Sequence, residues 1–253
     1  DPLAVMSPGF WLSFAAVAVI LYALSGVDAK DWKERLIAWG RLQWAIAAGL
    51  LPLLLFLFQQ VSLSGPFANL VAIPLVELVV IPATLLGVAG SFLLPDSLAA
   101  WPFLLAAKAM SILWPLLELL ARVEGSQWSQ HNPPLWTLGA ALVGVLLLLA
   151  PRGVPARWLG LVWLLPMFLV RPALPAPGEV RLTLLDVGQG LAVVAQTAGH
   201  TLVYDTGARL SARFDAGRAV VVPYLRHTGV GRVDTLIVSH GDNDHIGGSA
   251  SLL

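Results

Sequence analysis

Residues 239–248 read SHGDNDHIGG. Four potential metal ligands, His240, Asp242, Asp244 and His245, fall within six residues, directly after a short apolar run at 235–238. Gly247-Gly248 closes the stretch and lets the chain turn tightly before the next element. Imidazole and carboxylate are the ligand types on offer, because the chain has no cysteine and so no thiolate site, disulfide framework or cysteine nucleophile. One ion cannot easily use all four groups. On a loop, the alternating pair His240 and Asp242 serves one ion and the adjacent pair Asp244 and His245 a second, each leaving coordination positions for further ligands. Two ions about 3.5–4 Å apart would hold an activated water and clamp the attacking and leaving oxygens of a phosphodiester. The competing reading is a capped polar turn ahead of a helix.

Upstream of this loop, residues 180–184 alternate apolar with polar, and 191–195 and 201–204 are short apolar runs separated by the turns DVGQG and AGH. This pattern predicts β-hairpins. Residues 219–227 predict a short helix stopped at Gly229, and 235–238 a strand that delivers the chain into the ligand cluster. Strands, a helix and a strand ending in a polar loop give an α/β layered architecture. The proline- and glycine-rich residues 173–179 predict a linker, so the water-facing part runs over 180–253.

Residues 1–172 have a different character. The whole chain is 57% apolar and 12% charged with a mean hydropathy of +0.78, against about 25% charged in soluble domains. The first 178 residues hold 17 acidic or basic side chains, whereas the remaining 75 hold 13 and four of the five histidines. A purely soluble protein is excluded, and a membrane part of about six helical or re-entrant segments is expected. The net charge of zero gives no global attraction for polyanions.

Residues 9–26 predict a first span, and Asp1-Pro2 in place of a basic stretch argues against a secretory leader. Next come Lys30, Lys33, Arg35 and Arg41, with Trp32, Leu36 and Trp39 at helical spacing: an interfacial amphipathic helix, or else a polar loop, and in either case a cytoplasmic side. Residues 42–58 cross outward into an uncharged loop at 59–66. Residues 67–94 hold Pro74 and Pro82 around Glu77, which predicts a broken or re-entrant helix. Residues 97–123 repeat this with Pro102 and Pro115, and carry Lys108 and Glu118. A charge at membrane depth costs a few kcal/mol, about 2.5–3.5 on insertion scales, so Glu77, Lys108 and Glu118 are candidates for a polar conduit, with Lys108 a partner for Glu77; the alternative for Glu77 is an idle interfacial place. Short spans at 135–150 and 158–170 flank Arg152 and Arg157, a second basic turn. If both proline-rich segments cross, or both are re-entrant, the residues after 172 face the periplasmic or outer side of the inner membrane; one of each reverses this.

SHGDNDHIGG resembles the metal loop of the metallo-β-lactamase superfamily. DVGQG, YDTG, VVPYLRHTGV and VDTLIVSHGDNDHIGG together are similar to the extracytoplasmic domain of the ComEC-type competence DNA channel family. SPGFWLSFAAVAVIL and NLVAIPLVELVVIPATLLG resemble the membrane domain of the same family, in the same order. The resemblance implies a polytopic α-helical membrane domain followed by the first part of an αββα metallo-β-lactamase-like domain. It implies an inner-membrane channel that takes up one strand of transforming DNA, with an attached metal-dependent nuclease-like domain. The implied cofactors are two divalent ions, zinc or manganese, and the implied partners are single-stranded DNA, membrane lipid, DNA-delivery proteins and a cytoplasmic motor. No phosphate-binding loop of the Walker kind occurs, in keeping with an external energy source.

Carried over residue by residue, His240 and Asp242 match the first metal pair and Asp244 and His245 the second, with Asp244 also placed to orient the nucleophilic water. Asp186 and Asp205, in DVGQG and YDTG, stand where a carboxylate supports the metal loop or simply fixes a turn. Asp242 replaces the superfamily's commoner histidine and makes manganese as good a candidate as zinc. Leu191 departs from the polar residue relatives often carry there. The superfamily's remaining ligands are expected beyond Leu253, so this stretch alone is expected to be inactive, as a piece of a longer phosphodiesterase. Two other classes fit the same features: a membrane-tethered metallohydrolase of lipid or cell-envelope phosphoesters, and a transporter of another polyanion.

Overall fold

The computed structural model describes residues 2–25, 31–151, 153–211 and 214–253. Asp1, Gly26, Lys30 and Arg152, which carry part of the expected membrane topology, lie outside the described residues.

Two compact units interleave along the chain. The first, made of residues 1–54, 60–128 and 142–161, is helical. Helix α1 (Pro8–Leu24) starts on a proline, whose missing N–H costs nothing at the first helical position. Helix α2 (Trp32–Phe58) is capped by Asp31, whose Oδ1 accepts the Glu34 N–H at 2.8 Å. The two approach closely where Gly49 faces Val19, a place a Cβ would fill. The amphipathic stretch around Trp32, Leu36 and Trp39 is therefore the first part of α2 and not a separate interfacial helix. One N-cap starts 27 residues that run through Pro52 to the end of the apolar run.

The proline-rich segments also form continuous helices instead of broken ones. α3 (Gly65–Leu75), a π-turn at Val76–Val80 and α4 (Ile81–Leu93) join into 29 uninterrupted helical residues. Pro82 has no N–H to donate back into the π-turn, and the wider turn relieves the clash of its ring with the carbonyl four residues back. Thr84 Oγ1 donates to the Val80 carbonyl at 2.7 Å, on the same turn. α5 (Asp96–Arg122) carries both Pro102 and Pro115 inside 27 helical residues. Isolated prolines inside spanning helices are tolerated when neighbours and local adjustment serve the freed backbone groups.

α4 and α5 form a hairpin packed on small residues. Ala83, Gly87 and Gly90 are buried on one helix and Ala99, Ala106 and Ala109 on the other. After it, α6 (Leu135–Leu149) and α7 (Leu159–Leu169) are apolar but only 15 and 11 residues long. Three helices, Trp32–Phe58, Gly65–Leu93 and Asp96–Arg122, are long and apolar enough to cross a membrane. Their outward side chains, such as Leu78, Leu85, Phe92, Leu104 and Ile112, are exposed, as lipid contact requires.

The second unit, residues 55–59, 129–141 and 162–253, holds the sheet. Strands β1 (Gln60–Ser62) and β2 (Gln127–Ser129) form a separate small pair. The main sheet has four strands, β3 (Arg181–Leu184), β4 (Val193–Gln196), β5 (Thr201–Tyr204) and β6 (Thr235–Ile237), in that spatial order. β3, β4 and β5 pair antiparallel, with Leu184 opposite Val193 and Val193 opposite Tyr204; β6 joins β5 in parallel. The parallel step needs a crossover, supplied by a π-turn at Gly217–Val221 and α8 (Val222–His227). Gly229, at φ +78°, ends it as expected. Ala192, Val194, Val203, Val221 and Leu225 form the core between sheet and crossover. The last turn of helix, α9 (Asn243–Ile246), lies inside the ligand cluster.

Candidate metal centre

The site grows from the carboxyl ends of two neighbouring parallel strands. β5 ends in Asp205, whose N–H donates to the Ile237 carbonyl on β6 at 2.8 Å and continues the pairing by one residue. Asp205 sits in the left-handed region at φ +56° and is fully buried. That backbone turns its carboxylate under the loop that leaves β6. There it accepts three hydrogen bonds: Ser239 N–H at 2.7 Å, Ser239 O–H at 2.7 Å and His245 Nδ1–H at 2.7 Å. Burial pushes the Asp205 carboxyl up, and the hydrogen bonds from His245 and Ser239 together outweigh it and hold the group below its ordinary range.

These bonds fix both imidazoles. The Ser239 hydroxyl proton goes to Asp205, so Ser239 Oγ must accept from His240 Nδ1, which lies at 3.0 Å. His245 spends its Nδ1 proton on Asp205. In the neutral tautomer that these bonds select, each ring turns Nε2 outward, the nitrogen through which imidazole can ligate metal. Nε2 of His240 lies 3.5 Å from Asp242 Oδ2, and Nε2 of His245 lies 3.5 Å from Asp244 Oδ2. Two ligands bound to one tetrahedral ion at about 2.0–2.1 Å are separated by about 3.3–3.4 Å. Both pairs therefore fit a shared cation. The two rings are 3.9 Å apart between centroids, which brings the pairs side by side.

The four residues singled out in the sequence lie as two neighbouring pairs, His240 with Asp242 and His245 with Asp244. Among the described residues no group of three or more histidines, aspartates or glutamates closes around one point. The described donors come two to a pair. Residues 185–253 match the metallo-β-lactamase superfamily, and such a domain implies divalent metal use.

Backbone contacts hold the loop from two sides. Thr206 N–H and Oγ1 both donate to the His245 carbonyl, at 2.8 and 2.9 Å. Leu191 N–H donates to the Asp244 carbonyl at 3.2 Å, so position 191 acts through its backbone and its apolar side chain is no obstacle. Gly190, at φ +124°, lies against that same carbonyl, where a Cβ would collide. Ser239 and Thr206 hold the loop by hydrogen bonds that the sequence does not announce, because a lone serine or threonine in a polar stretch reads as turn chemistry. Among the described residues Asp186 makes no hydrogen bond to the metal loop; its Oδ1 accepts the Gly188 N–H at 3.1 Å and caps the DVGQG turn.

The conduit candidates do not converge. Glu77 lies in the π-turn of the 29-residue helix and is exposed, as is Lys108 near the middle of α5. Among the described residues no ion pair joins them. Glu118 is bound within its own helix, accepting from Trp114 Nε1 at 2.8 Å and from Arg122 at 3.3 Å.

Comparison with known proteins covers both regions. Residues 1–155 match the family described as Competence protein. Over 98% of its length the chain is 35% identical to competence protein ComA of Neisseria gonorrhoeae, of which it covers 34%. It is 32% identical over its full length to the uncharacterized protein YcaI of Escherichia coli K12, covering 34% of it. It is 30% identical over its full length to recombination protein 2 of Haemophilus influenzae, covering 36%. The chain therefore spans about a third of the length of these relatives. No solved structure matches it. A helical region followed by a metallo-β-lactamase-type sheet region is the order in which the two family matches fall.

Proposed function

The chain belongs to the competence protein family, and from that premise we propose that it is part of an inner-membrane channel for single-stranded transforming DNA. Its residues after 172 form an extracytoplasmic, metal-dependent nuclease-like domain. The observation that carries the hydrolase half is the pair of imidazole Nε2 atoms, each 3.5 Å from a carboxylate and side by side. His240 with Asp242 and His245 with Asp244 would hold two divalent cations, zinc or manganese, which supply Lewis acidity and an activated water when bound. Asp205 and Ser239 keep both rings in the ligating tautomer. Asp244 is the carboxylate placed to orient the attacking water and take its proton.

For the channel half, the support is electrostatic. Glu77 and Lys108 are ionisable groups near the middle of helices long enough to span, and a charge there is stable only against water or a partner. They line the polar route, with Glu118 nearer its end. The chain shows no ATP-binding loop in its sequence, so a cytoplasmic motor pulls the strand.

The test uses the full-length protein, purified with manganese or zinc. It is expected to bind and cut DNA, and His240→Ala and Asp244→Ala are each expected to lower cleavage by at least about 100-fold, the scale on which general-base and metal activation operate. Cleavage of lipid phosphoesters with DNA left intact would replace this reading by a membrane-tethered hydrolase. Retention of full nuclease activity by the double variant would overturn the assignment of the loop.

A further inference from the structure

Beside the metal loop stands an antiparallel bridge between Arg209 and Asp215 to which ligand holding gives no role. Its first leg is fastened to the loop itself. Arg209 N–H donates to Asn243 Oδ1 at 3.2 Å, and Asn243 Nδ2 donates back to the Arg209 carbonyl at 3.1 Å. Asn243 is the residue between Asp242 and Asp244. The second leg is fastened through Asp215, whose carboxylate accepts the Arg218 N–H at 2.8 Å and the Ser251 hydroxyl at 2.9 Å. Both legs are therefore fixed, and one of them moves with the ligand cluster.

The next pair continues the register: Leu210 N–H and Ser211 N–H both donate to the Phe214 carbonyl at 3.0 Å. Side chains alternate between faces along paired strands, and residues directly opposite share a face. Arg209 and Asp215 thus share one face, while Leu210 and Phe214 share the other. There they are 71% and 52% exposed.

An aromatic ring opposite a branched aliphatic, next to a bridge tied to the proposed phosphodiester-cleaving loop, has the chemistry of a stacking surface. Every nucleobase offers a π face, so such a surface accepts any sequence, but only from a strand whose bases are not already stacked inside a duplex. We infer that Phe214, with Leu210, stacks a base of single-stranded nucleic acid and sets the register of that strand against the metal loop. This rests on the nuclease reading above and adds to it how the strand is held: by stacking on Phe214 and not by base-edge hydrogen bonds.

The experiment measures anisotropy of a labelled oligothymidylate on the full-length protein in nanodiscs, with chelator present so that nothing is cut. An abasic strand of equal length serves as the second probe. Phe214→Ala is expected to weaken oligothymidylate binding about 5- to 150-fold, the range for losing one stacked base. Binding of the abasic strand stays as in the wild type, and Phe214→Trp restores oligothymidylate binding. Unchanged binding of oligothymidylate by Phe214→Ala overturns the inference. Equal losses on both strands, or no rescue by tryptophan, also overturn it and mark the ring as a structural or protein-contact residue. Wild-type protein that binds neither strand sinks the nuclease reading itself, an outcome distinct from a wild type that binds and a variant that is indifferent.

Discussion

Asp205 shows how one buried carboxylate organises a metal loop it never joins. It takes three hydrogen bonds at 2.7 Å, and through Ser239 and His245 it decides which nitrogen each imidazole presents. Asp205→Asn cannot serve three donors with its amide, since its nitrogen must face one of them. The expected outcome is a loss of about 2–4 kcal/mol, the scale for breaking a buried charged hydrogen-bond network. Metal affinity should fall about 10- to 100-fold, as for other partners of ligating histidines. Thermal unfolding and manganese titration of the purified protein read the two effects; wild-type values in both would remove Asp205 from this role. The same carboxylate sets an acid limit. Its folded pKa lies below the ordinary 3.8, so its stabilisation is complete above that value and drains away as pH falls through the lower folded value. Metal-free protein should therefore lose this contribution only below about pH 4, and the Asn variant should lose that part of the acid dependence.

Between α4 and α5, packing is decided by the absence of side chains. A Cβ built on Gly90 lies 3.7 Å from Ala99 Cβ and 3.6 Å from Ala99 Cα. That Cβ separation is inside the range a disulfide spans, about 3.5–4.5 Å. In a chain without cysteine, Gly90→Cys with Ala99→Cys is expected to cross-link under mild oxidant, read as a mobility shift without reductant. A pair that stays reduced while the protein inserts normally would contradict the hairpin. Elements of this kind were only partly legible in the sequence. Alternation found β3, short apolar runs found β4, β5 and β6, and Gly229 marked the end of α8, because strand faces and helix stops leave local signals. Prolines misled: Pro74, Pro82, Pro102 and Pro115 predict breaks from local backbone chemistry, whereas a π-turn and helix packing absorb them. The four ligands were legible because their chemistry is packed into six residues. Ser239, Thr206 and the Arg209–Asp215 bridge were not, because their importance lies in contacts 30 to 40 residues away in sequence.

At the scale of the whole molecule the question is which side of the membrane the metal loop faces. Helices of 29 and 27 residues are about 40 Å long, enough to cross a core of about 30 Å twice in succession. That returns the chain to the side it left, as the pairing of β1 with β2 requires. Within the sheet-bearing unit, Gln130 N–H donates to the Gln59 carbonyl at 2.9 Å, and Gln130 Nε2 donates to the Met167 carbonyl at 3.0 Å. His131 Nε2 contacts the Val170 carbonyl at 2.7 Å, and Asn132 N–H donates to the His227 carbonyl at 3.3 Å. Gln59 at the end of α2 and residues 130–132 after α5 are thus bonded within the same unit as the sheet, while α6 and α7 are too short for a helix count to assign a side. Lys33, Arg35 and Arg41 precede the crossing of α2 at its other end, and basic residues collect on the cytoplasmic side. The proposed topology therefore puts the sheet outside the cytoplasm. Gly199 lies in the turn between β4 and β5, has open space where a Cβ would point, and needs no special backbone. Gly199→Cys, in a chain with no other cysteine, is expected to react in intact cells with a maleimide that does not cross the inner membrane. A cysteine placed at Lys33 should react only after the cells are opened. The reverse pattern would put the metal loop in the cytoplasm, and with it would fall any reading in which the metal site acts on DNA before it crosses the membrane.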